Sequence, residues 1–284
     1  MGSVVAKSIV EKCMQTTIYQ PPPRSSYTKE SVQYIKSIRG DKLALRCISP
    51  PGACMTFYSK YTDSRHVVLY SHGNATDLGG CTDVCEIVAK MLDAHVVVYD
   101  YPNYGLSSKT AMSESVLHSS VQAVYDRLME MKVPQEKIIL MGHSLGTVPT
   151  LHIASRVFSS YLAVVLICPL ASAFRTVMVD KYFPDSVSRK FDAVLFNNLK
   201  AIENVHAPVA IVHGFDDDVI DISSAELLHS RIPAIYKFKP LYISAGHNDI
   251  YHSETLAGVS TYLQEFMKLA QDAKEQLNSA ALQD

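Results

Sequence analysis

No stretch of the 284-residue sequence approaches the roughly 20 consecutive apolar residues that cross a bilayer. The longest apolar run, Tyr161 to Phe174, is interrupted by Cys168, Pro169 and Ser172 and reads as a buried strand with the loop after it. An excess of either charge is lacking too, since 26 Lys and Arg stand against 28 Asp and Glu, a formal net charge of -2. Nucleic-acid binding needs a clustered positive face, so no nucleic-acid partner is expected. No secretory pattern opens the chain: Val4 to Val10 is interrupted by Lys7, and Glu11 and Lys12 follow. Six cysteines (Cys13, Cys47, Cys54, Cys81, Cys85, Cys168) have no framework spacing. Cys81 and Cys85 lie one helical turn apart, but no second pair completes a zinc site, and no His/Cys/Asp set has ligand spacing. The loop Ser71 to Gly79 contains neither G-x-x-x-x-G-K-[ST] nor G-x-G-x-x-G. The expectation is a protein of a reducing, cytoplasmic compartment with free thiols, no metal and no cofactor.

With 48% hydrophobic and 19% charged residues, the chain has enough apolar surface for a sizeable core. Residues 1–30 differ from the rest. Pro21-Pro22-Pro23 and a missing apolar period mark them as an arm, flexible or membrane-proximal. Val32 to Ile38 and Leu43 to Ile48 alternate as strands around a turn at Gly40-Asp41. Then come continuous β-branched runs at His66 to Tyr70, His95 to Tyr99, Ile138 to Met141, Leu162 to Ile167 and Val209 to Val212. Such runs suit strands covered on both faces of a parallel sheet. Thr82 to Met91, Ser113 to Met131, with a capping Ser113, and Leu145 to Phe158 carry helical spacing between them. A last helix is expected over 254–276, with 277–284 as a tail. Residues 31–276 therefore form one α/β domain with a mostly parallel central sheet flanked by helices. The stretch 171–206 breaks the alternation and is the place for a short cap.

Gly142-His143-Ser144-Leu145-Gly146 directly follows a strand and precedes a helix. This is the strand-turn-helix context of a nucleophile elbow, in which small flanking residues let a serine stand on a tight turn clear of the sheet. The pentapeptide arises by chance in about one chain of this length in ten, so the context supplies most of the signal. A serine hydroxyl needs a base, and the base needs an orienting carboxylate, in the chain order Ser, acid, His. Both follow strands downstream: His213-Gly214-Phe215-Asp216-Asp217-Asp218, then Ala245-Gly246-His247. His247 is the base. Asp217 is taken as the acid because it stands four residues after His213 in an H-G-x-x-D pattern, with Asp216 and Asp218 as its solvated or turn-capping neighbours.

An oxyanion hole needs two backbone N–H groups. Leu145, after the nucleophile, supplies one. Asn74 or Ala75, in the loop after the strand His66 to Tyr70, supplies the other. Among the remaining histidines, His143 packs beneath the elbow, His72 is structural to the oxyanion loop, and His66, His95 and His152 belong to element ends and helix faces.

The series SHGNATDLG (71–79), YDYPNYGLS (99–107), GHSLGTVPT (142–150), CPLASAFRT (168–176), HGFDDDVID (213–221) and AGHNDI (245–250) resembles the α/β-hydrolase domain-containing protein 17 family over about 27–267. The resemblance implies an α/β-hydrolase fold with a short cap and no full lid domain. It implies serine hydrolases that sit peripherally on the cytosolic face of membranes and remove palmitate from cysteine thioesters of S-acylated proteins. Ser144, Asp217 and His247 match that family's triad. Two departures stand out. Where the family carries an amino-terminal cysteine cluster, this chain has Cys13 alone, behind a Met1-Gly2-Ser3 opening whose sixth residue is Ala6 in place of the Ser or Thr of a myristoylation signal. Pro102-Asn103 replaces a Ser-Gly in a loop that borders the acyl site.

The function expected is a serine hydrolase of acyl thioesters or esters, with a palmitoyl-protein thioesterase first. A small-molecule carboxylesterase or lipase-like enzyme with the same triad is the nearest alternative. A hydrolase-fold binding module without turnover is the other.

Overall fold

The computed structural model describes residues 18–157, 161–177 and 185–281. The alternating Val32 to Ile48 region forms the hairpin β1 (Gln33–Lys36) and β2 (Lys42–Ile48). The apolar runs become β3 (His66–Ser71), β4 (Ala94–Tyr99), β5 (Ile138–His143), β6 (Ala163–Ile167) and β7 (Val209–Gly214). A short β8 (Leu241–Ile243) closes the series. The eight strands form one sheet in the order β1-β2-β4-β3-β5-β6-β7-β8. β1 and β2 are antiparallel to each other, and β2 is antiparallel to β4. All other pairs are parallel.

Parallel strands need crossovers, and the helices supply them. They are α1 (Thr82–Leu92), α2 (Glu114–Glu130), α3 (Thr147–Ala154), α4 (Ala173–Val177), α5 (Asp185–Phe191), α6 (Asn198–Ile202), α7 (Ser223–Arg231) and α8 (Ser253–Ala281). Because side chains alternate along a strand, the five β-branched runs feed two cores at once. Leu69, Val97, Leu140, Leu166 and Ile211 pack with Leu117, Leu151, Leu199 and Leu228 of α2, α3, α6 and α7. Val68, Val96, Ile139, Val165 and Ala210 face the other way, onto Cys85 and Val88 of α1 and Val259, Leu263 and Phe266 of α8. This double coverage is why the strands read as unbroken apolar runs.

Several expectations need correcting. Described residues of the arm, 18–30, are fastened to the domain. Ile18 and Tyr19 pack on the core, the Ser26 N–H donates to Asp77 Oδ2 at 2.8 Å, and the Tyr27 hydroxyl donates to Asp100. Sequence pattern misses this because two apolar residues make no period and the polar contacts lie 51 to 73 residues away along the chain. Met1 to Ala6 and Cys13 lie outside the described residues. The helix expected over 145–158 is a 3-10 turn at Ser144–Gly146 followed by α3, with Phe158 outside the described residues. The last helix runs through the expected tail to Ala281, and residues 282–284 lie outside the description. Ser113 sits at the N-cap position of α2 in extended backbone, but its hydroxyl pairs with Ser115 Oγ rather than capping the helix. The pattern also passed over α7, whose few buried positions (Ser224, Ala225, Leu228) leave little apolar period.

Of the expected cap 171–206, residues 178–184 lie outside the description. The flanking helices α4 and α5 are joined by a buried pair, Arg175 Nε and Nη2 donating to Asp192 Oδ1 and Oδ2 at 2.7 and 2.9 Å. The Phe174 and Phe191 rings stack at 4.8 Å above it. The third helix of the stretch, α6, belongs to the sheet-flanking layer through buried Leu199 and Ile202. No helix among the described residues is long and apolar enough to cross a membrane.

Candidate active site

β5 delivers its last residue, His143, in extended backbone, and Ser144 then turns to φ +53°. A side chain at that left-handed φ is strained, so the surrounding packing has to impose it. The packing is tight enough. A Cβ on Gly142 would lie 2.5 Å from the Gly146 carbonyl oxygen, and one on Gly146 would run into the Ser71 carbonyl of β3. The two glycines thus allow α3 to start directly over the sheet, and Ser144 stands at its opening.

The triad residues named above come from three loops beyond the carboxyl ends of β5, β7 and β8. His247 Nε2 lies 2.8 Å from Ser144 Oγ, and His247 Nδ1 lies 2.7 Å from Asp217 Oδ2. Since a carboxylate only accepts, Nδ1 carries the proton and Nε2 is left to accept from the serine hydroxyl. Asp217 is itself fixed, because its Oδ1 accepts the Val219 and Ile220 N–H groups at 2.9 and 2.8 Å. His213 Nε2 lies 3.3 Å from Oδ2 and donates to the Ile220 carbonyl. Burial pushes the Asp217 carboxyl up, but hydrogen bonding to His213, His247 and the Ile220 N–H outweighs it and holds the group well below the usual carboxylate range. Asp216 points elsewhere, accepting from Ser244 Oγ at 2.7 Å, and Asp218 is exposed.

The oxyanion candidates converge on the same place. Leu145 is the second residue of a helical turn, so its N–H has no partner within the helix. Asn74 and Ala75 line the cavity beside Ser144, with Ala75 at φ +54°. The Asn74 side chain is turned away and spent on other partners, so its backbone N–H is what it has to offer. His72 is fully buried under this loop, with Nδ1 donating to the Gly73 carbonyl at 2.7 Å and Nε2 3.3 Å from Asp100. His143 differs from expectation. It lies at the cavity wall rather than beneath the elbow, its Nε2 donating to the His247 carbonyl at 3.1 Å and its ring 5.1 Å from that of His247. Burial, reinforced by the His247 ring, pushes its pKa down to about 4.

The cavity measures about 580 Å³. Tyr70, Val84, Ile167, Val219, Ile250 and Tyr251 give it apolar walls, with Ser144 and His247 on one side. That combination suits an apolar group whose reacting carbon lies at the serine. No described residue of 171–206 is among the cavity's lining, whereas Gln20 of the arm is. The loop carrying Pro102-Asn103 does not line it either and touches it at one remove, through Tyr104 Oη on Asn74.

The structure also gathers donor atoms that sequence spacing leaves apart. His143, Cys168 and His247, and likewise Cys168, His213 and Asp217, each place one such atom within 4.8 Å of the others. Two of these residues, His247 and Asp217, belong to the relay: both His247 nitrogens are bonded there, and Cys168 Sγ lies 3.7 Å from the His247 carbonyl. The five described cysteines are free thiols.

The alpha/beta hydrolase fold family matches residues 66–198. Alpha/beta hydrolase domain-containing protein 17C of Xenopus tropicalis is 39% identical over 206 residues, 70% of this chain and 62% of that protein. Protein 17B of the same species is 33% identical over 231 residues, covering 80% of this chain and 73% of its own length. The chain belongs to the alpha/beta hydrolase domain-containing protein 17 family. It spans only part of several members, 54% in the case of human 17C. An esterase of Pyrococcus furiosus, 16% identical, superimposes with a TM-score of 0.65 over 88% of this chain and all of the other. Mouse alpha/beta hydrolase domain-containing protein 10, 14% identical, does so with 0.59 over 84% of this chain and 98% of its own. At these identities the likeness speaks for the fold, an α/β-hydrolase sheet.

Sequence reading missed the residues that support the site. Asp100 and Tyr104, from the segment 99–105, and Tyr27, from the arm, meet at the oxyanion loop. Their local signal was the Y-D-Y-P-N-Y-G segment, which carries more polar and aromatic groups than a connecting loop needs.

Proposed function

We propose that the protein is a serine hydrolase of acyl thioesters and esters, acting on palmitoylated cysteines of proteins at the cytosolic face of membranes. The observation that carries this reading is the Ser144–His247–Asp217 relay of 2.8 and 2.7 Å, set in the wall of an apolar cavity. Membership of the family supports the palmitoyl-thioester part, and the apolar walls are what a fatty acyl chain requires.

In this mechanism Ser144 Oγ attacks the acyl carbonyl as its proton passes to His247 Nε2. Asp217 holds the imidazole in the tautomer that can accept, and stabilises the imidazolium. The oxyanion is received by the Leu145 N–H and that of Asn74 or Ala75. The thiol or alcohol departs with the proton from His247. Water, deprotonated by the same nitrogen, then cleaves the acyl-enzyme and releases the carboxylic acid. Thiolates and alkoxides leave more readily than amines, so thioesters and esters are more reactive acyl donors than amides.

The test is single-turnover hydrolysis of a palmitoyl-cysteine peptide beside a short-chain ester, with wild type and Ser144→Ala. Palmitoyl release that vanishes in the folded mutant is expected. Short-chain turnover alone would move the function to a small-molecule esterase, and turnover unchanged in Ser144→Ala would end the serine mechanism.

A further inference from the structure

An oxyanion hole works because its donors are held in place before the reaction begins, and here one donor lies on a loop rather than a helix. That loop, residues 71–79, is held by its Asn74 side chain. Asn74 Oδ1 accepts the Gln20 N–H at 3.0 Å and the Tyr104 hydroxyl at 2.6 Å, which fills both of its lone pairs. Asn74 Nδ2 donates to the Ile18 carbonyl. Two of these three partners are backbone groups of the arm. The arm is anchored between them and beyond them. Tyr19 packs edge-on against Phe196 with ring centres 6.0 Å apart, and Ser26 bonds Asp77 of the same loop. Ala75, next to Asn74, sits at φ +54°, a conformation that relaxes unless its neighbours hold it.

We propose that Ile18 to Gln20 clamp the oxyanion loop through the Asn74 side chain, so that Asn74, Gln20 and Tyr104 are positioning residues for the hydrolysis. The inference rests on the Ser144 mechanism above. Its consequence is that the arm, which sequence pattern marks as a linker, is part of the catalytic architecture.

Gln20→Pro tests it directly, because it deletes the one N–H that reaches Asn74 Oδ1. Gln20 precedes Pro21, so its backbone is already biased to the extended region a proline can occupy. Gln20→Ala keeps the N–H and removes only the side chain that lines the cavity, so the difference between the two variants reports the N–H alone. Tyr104→Phe removes the second donor while keeping the buried ring, and serves if the proline variant fails to fold. Losing an oxyanion donor outright lowers turnover by about 100- to 1,000-fold, and loosening its loop forfeits part of that. The expected result is a kcat about 10-fold lower in Gln20→Pro and Tyr104→Phe, with KM within about twofold of wild type. The rate of Ser144 labelling by a fluorophosphonate, which also builds charge on oxygen, falls in parallel, and Gln20→Pro loses more of both rates than Gln20→Ala. If Gln20→Pro and Tyr104→Phe match wild type while Ser144→Ala is inactive, the clamp is wrong and the hydrolase stands. A raised KM at constant kcat would make these residues substrate contacts and overturn the positioning role. Should wild type turn over no acyl substrate and resist labelling, the hydrolase reading falls and the clamp with it.

Discussion

Replacing Asp217 with Asn asks whether the acid of the relay is the one the geometry points to. The carboxylate uses its two oxygens differently: Oδ1 accepts two backbone N–H groups, while Oδ2 faces His247 Nδ1. An amide in its place can keep the loop only by leaving its oxygen at the Oδ1 position. The reverse orientation would set an NH2 against the Val219 and Ile220 donors, and leaving the more buried Ile220 N–H unpaired costs about 1–3 kcal/mol. The amide NH2 therefore points at Nδ1, which must become an acceptor. The proton moves to Nε2, and that nitrogen can no longer take one from Ser144. The same exchange in a Ser-His-Asp triad lowers turnover by about 10⁴-fold, or about 5.4 kcal/mol in the barrier at 1.36 kcal/mol per tenfold. The assay is kcat for the acyl substrate, with thermal unfolding to show that the variant is folded. Asp216→Asn and Asp218→Asn are the controls, since Asp216 bonds Ser244 Oγ and Asp218 is exposed. Both should stay within about twofold of wild type. Asp217→Asn keeping a tenth of the activity, or either neighbour losing most of it, would refute the assignment.

Stability should fall as the pH drops from about 6.5 towards 4, because burial holds His143 and His152 down at about 4 and His118 at about 3, with His118 stacked on His152 at 3.6 Å. All three stay neutral in the fold and charge on unfolding, so the unfolded chain binds more protons. Each contributes up to about 1.4 kcal/mol per pH unit in that window. His72, whose burial is outweighed by Asp100 so that its pKa is raised, acts in the opposite sense and offsets part. Urea midpoints at pH 7 and pH 5 check the sign, and an equal or higher midpoint at pH 5 would contradict it. Arg175→Met should destabilise by about 3–5 kcal/mol, because it strands the Asp192 carboxylate in a buried site. A thermal midpoint within a degree of wild type would show that the α4–α5 pair is not holding the structure.

The parts of this protein that are local in physical origin are legible in its sequence. Strands covered on both faces have to be apolar at every position, so β3 to β7 announce themselves as β-branched runs. An elbow has to have small residues beside its serine, so Gly142 and Gly146 mark it. Loops at the carboxyl ends of strands have to carry the partners, so Asp217 and His247 fall in the expected order after Ser144. What the tertiary structure decided rests on contacts between residues far apart in the chain, for which no local pattern exists. The H-G-x-x-D spacing favours the middle of three consecutive aspartates, but only the fold shows how its two oxygens are divided between the Val219 and Ile220 amides and His247. His143 looks like packing beneath the elbow until its ring is found at the cavity wall. A proline-rich arm looks like a linker until Asn74, Asp77 and Asp100 take its Gln20, Ser26 and Tyr27 groups as hydrogen-bond donors. Apolar periodicity records which residues leave water, whereas polar contacts of this kind depend on three-dimensional position alone.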